Sequence, residues 1–170
     1  LLEGLGALSI ETHSTAEDCE RVWQLRRDFS YSLKHTGLTK LNEDIVVPRS
    51  KLVALVEFAR RLEEETGLAV ACFGHAGDGN IHTNLMVENY DDPGIQARTR
   101  EALDLLFAWV LANDGVITGE HGVGLAKKPW FAEALGEAGL AVHGALKAAL
   151  DPTGILNPGK FVPSQPPPHR

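Results

Sequence analysis

The chain has 170 residues, 44% of them hydrophobic and 23% charged, the composition of an ordinary soluble globular domain, and one domain is the expectation for this length. Sixteen Lys plus Arg against 23 Asp plus Glu leave a net charge of −7, without the basic footprint of a nucleic-acid binder. A mean hydropathy of −0.10 and the lack of an apolar run approaching ~18 residues argue against a transmembrane helix.

Two cysteines, Cys19 and Cys72, are too few for a disulfide framework or a four-cysteine zinc site and fit a reducing, cytoplasmic setting. The opening LLEGLGALSI has no basic stretch leading into an apolar core, so it is not read as a signal peptide, and the chain reads as the end of something longer.

In chain order, LSIET (residues 8–12) predicts a strand, and Ser14 or Thr15 followed by Glu17 and Asp18 predicts a helix start. That helix runs to about Leu33. HTGLTKLNED (residues 35–44) reads as a loop, and Ile45, Val46 and Val47 as a short strand stopped by Pro48. From Ser50 to Thr66 apolar residues recur at helical spacing, with Gly67 as the cap. LAVACFG and NIHTNLMV, with Asp78 and Gly79 between them, predict a β-hairpin.

Pro93 opens a helix ending near Asn113, Val116 to Thr118 form a last strand, and helix from about Pro129 to Leu150 breaks near residues 136–139. DPTGILNPGK is turn-rich, and VPSQPPPHR predicts a disordered tail. This order implies an α+β fold, a largely antiparallel sheet covered by helices, rather than a doubly wound parallel sheet. The hairpin and the lack of a strand, GxGxxG and helix unit both point that way.

The chemistry concentrates in two segments. In GHAGDGNIH (residues 74–82), a two-residue turn at Asp78 and Gly79 sets His75 directly opposite His82. Cross-strand Cβ atoms lie roughly 4.5–5.5 Å apart, close enough for two imidazoles to share one metal ion. Asn84 shares the His82 face. In GVITGEHGVG (residues 115–124), Glu120 and His121 sit in a glycine-rich turn. Glu120 could complete a His, His, Glu set with an open position, leaving His121 as a general base.

On spacing alone, a histidine pair across a hairpin more often packs or hydrogen-bonds than binds metal. Arg26 and Ser30, four apart on one helical face, could hold a carboxylate, or belong to an ordinary solvated helix; Lys40 is equally ambiguous.

GHAGDGNIH, ITGEHGVG and DPTGILNPGKF, in this order, together with WQLRRDFS and NEDIVVPRSKL, resemble the C-terminal cap region of FAD-linked oxidases of the vanillyl-alcohol oxidase superfamily. The similarity is to the group of glycolate oxidase flavoprotein subunits, D-lactate dehydrogenases and D-2-hydroxyglutarate dehydrogenases. It implies a ferredoxin-like cap domain over residues 1–150, a segment returning to the flavin domain at 151–162 and a disordered tail at 163–170. It also implies oxidation of a 2-hydroxy acid, with hydride passing from the α-carbon to FAD.

By motif, the resemblance makes His75, His82 and Glu120 ligands of a divalent metal, commonly zinc, and His121 the base. It makes Arg26, Ser30, Lys40 and Asn84 substrate-holding residues and Asn157 and Lys160 flavin contacts. FAD itself would be held mostly by an FAD-binding domain on the same or another chain; a homo-oligomer is left open. Two further readings stand beside this one. A His, His, Glu centre also suits a metal-dependent hydrolase, and a chain without its flavin domain could be a catalytically inactive truncated module.

Overall fold

The computed structural model describes residues 3–160. The chain divides into two compact units, Leu1–Leu38 and Thr39–Arg170.

The first unit is built on helix α1 (Ala16–Ser32). Thr15 caps it, its hydroxyl accepting the Asp18 N–H at 3.1 Å, with Glu17 and Asp18 in the first turn, where a helix N-terminus favours acids. The strand predicted over residues 8–12 does not form. Ile10 is exposed, Leu8 fully so, and the described sheet contains no strand beside that segment; an extended segment without a partner leaves its backbone donors to water.

The second unit runs β1 (Thr39–Val46), α2 (Leu52–Thr66), β2 (Ala69–His75), β3 (Asn80–Val87), α3 (Pro93–Ala112), α4 (Lys128–Leu150). The three strands form an antiparallel sheet in the order β1-β3-β2, which makes the fold α+β as predicted. α2 stops at Gly67, whose left-handed φ of 66° lets its N–H return to the Glu63 carbonyl. α3 starts at Pro93 behind Asp92, which accepts the N–H groups of Gly94 and Ile95. α4 is broken at Gly136 (φ 65°, ψ 176°), inside the predicted window.

Three further sequence readings need correction. β1 begins at Thr39 and takes in six residues read as loop. Lys40, Asn42 and Asp44 alternate with Leu41, Glu43 and Ile45, a pattern too polar to announce a strand because one face lines the site rather than the core. The strand predicted at residues 116–118 reduces to a single bridge, Val116 to Val46, because the next residues leave the sheet edge for the Asp44 carboxylate. The hairpin register also differs, as described below. The disordered tail predicted at 163–170 lies outside the described residues.

Side chains alternate along a strand and cross-strand partners share a face, so the sheet has two distinct sides. Leu41, Ile45, Leu85 and Val87 join Leu55 and Leu62 of α2 and Leu106 and Phe107 of α3 in one apolar core. Burying each such side chain contributes about 1.5–3 kcal/mol. The opposite side carries Lys40, Asn42 and Asp44 of β1, Asn80, His82 and Asn84 of β3, and Phe73 and His75 of β2. The core thus backs a polar face on which the candidate site is assembled.

Candidate functional site

The β2–β3 connection has four residues, 76–79, not two: His75 pairs with Asn80, and Phe73 with His82. The Asp78 N–H donates to the His75 carbonyl at 2.9 Å and the Gly79 N–H to the Ala76 carbonyl at 3.3 Å. Gly79 closes the loop at φ 73°, and its own carbonyl accepts the Val47 N–H at 3.0 Å. A Cβ at Gly79 would stand 2.1 Å from the Val47 oxygen, so glycine is required by close approach as well as by φ. The direct His75–His82 opposition expected from a two-residue turn is therefore wrong by two residues. A two-residue slip preserves the face, and the rings still meet as diagonal neighbours with centroids 6.1 Å apart.

The loop after the Val116 bridge brings in the remaining groups. Glu120 Oε1 lies 3.2 Å from His82 Nε2, and the His121 ring stacks on that of His82, centroids 5.3 Å apart and planes 25° from parallel. One potential ligand atom from each of His75, His82 and Glu120 falls within 4.8 Å of the others, the one such group among the described residues. His82 is 9% exposed, and its buried Nδ1 has no hydrogen-bond partner. Burial holds its pKa below the ordinary imidazole value, against the pull of the Glu120 carboxylate. Glu120 and His121 are about half exposed, so the cluster opens to solvent on one side.

Three further residues that spacing could not reveal, together with Asn80, which strand alternation already places on the His82 face, complete the arrangement. Asp44, cross-strand partner of His82, is fully buried and bonds the loop carrying Glu120 and His121. Lys127, 4% exposed, pairs with Asp44 and lies 3.6 Å from Glu43. Burial alone would raise the Asp44 pKa, but the bonds from Lys127, His121 and Glu120 outweigh it and hold the carboxyl well below the usual carboxylate range. Glu43 has fewer such bonds, and burial pushes its pKa up despite Lys127. Asn80 packs against Gly119, where a Cβ would fall 1.9 Å from Asn80 Nδ2. Asn42, Glu43, His121 and residues 122–127 line a concavity of about 250 Å³ beside the cluster.

The other predicted site residues are more dispersed. Asn84 is fully buried, its amide donating to the carbonyls of Ala71 and His82 and accepting from Asn42. Lys40 lies on the same sheet face as Asp44, four residues up β1, about 13 Å away at 3.3 Å per residue. Arg26 and Ser30 lie one helical turn apart in α1, within the first unit. Asn157 is exposed at φ 46° and its carbonyl accepts the Lys160 N–H, so both belong to a turn.

A family model described as FAD linked oxidases, C-terminal domain, matches residues 1–161. The chain belongs to that family. Among curated relatives, this FAD-linked oxidase C-terminal domain is 36% identical over 157 residues to the glycolate oxidase subunit GlcD of Bacillus subtilis, a match covering 91% of the chain and 33% of the relative. It is 30% identical to the D-lactate dehydrogenase of Anaerostipes hadrus, covering 92% and 33%. To the mitochondrial D-2-hydroxyglutarate dehydrogenase of Danio rerio it is 33% identical, covering 95% and 30%. The chain thus spans about one third of the length of these relatives. Among the described residues no helix is long and apolar enough to cross a membrane.

Proposed function

We propose that this chain is the substrate- and metal-binding portion of an FAD-dependent 2-hydroxy acid dehydrogenase or oxidase, of the glycolate, D-lactate or D-2-hydroxyglutarate type. The observation that carries the reading is the convergence of His75, His82 and Glu120 with His121 stacked against them, in a chain of the FAD-linked oxidase family.

The donor set fits a divalent cation. Two imidazoles and a carboxylate with one side open is the arrangement catalytic zinc uses, and His82 Nε2 and Glu120 Oε1 already face one another at 3.2 Å, beside a ligand atom of His75. His75, His82 and Glu120 would hold the ion. Lewis acidity at the substrate hydroxyl and a hydride acceptor for the α-carbon are what bound metal and FAD supply. His121 takes the hydroxyl proton on an imidazole nitrogen, from a half-exposed position suited to receiving substrate and returning the proton to water.

Lys40 adds a positive charge for the substrate carboxylate, and Arg26 and Ser30 of the first unit are candidates for carboxylate binding by motif alone. Asn84 takes part by exchanging one of its present sheet bonds for a bond to substrate. Asn157 and Lys160 contact the flavin from the turn in which they lie, and an FAD-binding domain on the same or another chain completes the enzyme.

The test is dye-coupled oxidation of D-lactate, glycolate and D-2-hydroxyglutarate by the chain with and without an FAD-binding domain. Turnover of one of these acids by the flavin-loaded protein is expected. Inactivity of that protein on every 2-hydroxy acid refutes the reading.

A further inference from the structure

Glu120 and His121 sit on an irregular loop among glycines, where the backbone has no ladder to hold it and the entropy lost on ordering is largest. Groups that must act together need positions fixed within about 0.5 Å. Something has to hold this loop.

The holding group is on the neighbouring strand. Asp44 Oδ2 accepts three successive backbone N–H groups, from Gly119 at 2.9 Å, Glu120 at 2.5 Å and His121 at 2.8 Å. Its Oδ1 accepts the Thr118 hydroxyl at 3.2 Å and the Lys127 ammonium. The Asp44 backbone carbonyl takes the Gly119 N–H as well, at 3.0 Å.

A carboxylate offers about four acceptor sites, so this one is saturated. Consecutive N–H groups converging on one oxygen form an anion-binding concavity of the kind that usually cradles a ligand; here a side chain of the chain itself fills it. An unpaired charge at full burial would be prohibitive, and the equally buried Lys127 supplies the compensation. Asp44 also pairs across the sheet with His82, so one register fixes both the histidine and the anchor of the loop that must meet it.

We propose that Asp44 is the positioning residue of the site: its buried carboxylate ties the backbone of residues 119–121 to the strand beside His82 and thereby fixes where the Glu120 carboxylate and the His121 ring point. The anchoring is independent of any bound ion; its consequence for metal affinity rests on the reading proposed above. A role confined to fold stability would leave zinc affinity unchanged in a variant that remains folded.

The experiment uses this chain, with Zn²⁺ affinity measured by competition with a chromophoric chelator and amide hydrogen exchange measured residue by residue. Asp44→Asn is expected to weaken Zn²⁺ binding about tenfold or more. It is also expected to speed exchange at residues 119–121 by a similar factor, with the β2–β3 amides unchanged. Wild-type zinc affinity, or wild-type exchange at 119–121, in folded Asp44→Asn overturns the proposal. Should Asp44→Asn fail to fold, Thr118→Val, which removes one of the donors, decides in the same way, with about threefold effects expected and no change refuting. If the unmodified chain binds no zinc, the metal reading falls, and exchange at 119–121 alone decides the positioning role by the same criterion.

Discussion

His82 is the residue at which the site converges: Glu120 faces one ring nitrogen, His121 stacks on the ring and His75 meets its edge. The proposed division of labour separates cleanly by mutation. His75→Ala is expected to lower zinc affinity by ~100-fold or more. His121→Ala is expected to keep that affinity within about threefold while reducing turnover of the flavin-loaded protein by ~10²–10⁴. Equal metal loss in both variants contradicts the assignment.

Gly119 offers a steric test, since its Cβ would meet Asn80 Nδ2 at 1.9 Å. Gly119→Ala is expected to cost about 1–3 kcal/mol in urea unfolding, the range for overpacking, and to weaken zinc binding along with it. The histidines and Glu120 were legible as candidates because each sits in a short glycine-rich motif, GHAGDGNIH or GVITGEHGVG, that pairs it with another reactive residue type. Asp44 was not, because its partners Gly119, Glu120 and His121 lie 75 to 77 residues away.

Among elements, the helices follow local rules, and the sequence places them closely. α2 stops at Gly67 and α3 starts at Asp92 and Pro93, signals written into neighbouring residues, and the α4 break falls at a glycine held at positive φ. β1 escapes those rules because a strand with one polar side carries no hydrophobic alternation strong enough to recognise.

The turn after α4 depends on another paired carboxylate. Lys147 bonds to Asp151, and the Ile155 and Leu156 N–H groups donate to it at 3.1 and 3.0 Å. The Lys147 bond chiefly holds the Asp151 pKa below its ordinary value, against some desolvation. A depressed folded-state pKa stabilises the fold above the unfolded Asp value of about 3.9, and that stabilisation is lost as pH falls through the folded pKa. Asp151→Asn is expected to lower stability at pH 7 and to shrink the loss of stability between pH 5 and pH 2, measured by urea unfolding across that interval.

For the molecule as a whole, each unit leaves an apolar stripe in solvent. Val22, Leu25 and Phe29 line α1, and Val142, Leu146 and Leu150 line α4 at the three- and four-residue spacings of one helix face. In a chain spanning about one third of its relatives' length, these stripes accord with the proposed need for an FAD-binding domain. The isolated chain is therefore expected to retain no stoichiometric FAD, and flavin absorbance is expected to co-purify once that domain is supplied; retention by the chain alone contradicts this. Stability of the second unit rests on the single core beneath the sheet. Phe107→Ala, at a fully buried position, is expected to cost about 3–5 kcal/mol, read from the urea midpoint.

By itself the sequence determined the helices, the presence of a hairpin, the α+β class and the two motifs bearing the reactive side chains. Caps, glycines and residue types act over a few positions, and one chain records them. Tertiary structure alone decided the hairpin register, the length of β1 and the carboxylate that gathers the loop of residues 119–121. Each of these depends on pairing between segments far apart in the chain: Val47 with Gly79, Thr39–Val46 with Asn80–Val87, Asp44 with His121. Such bonds form only after the core has brought those segments together, so their partners leave no periodic trace along the chain.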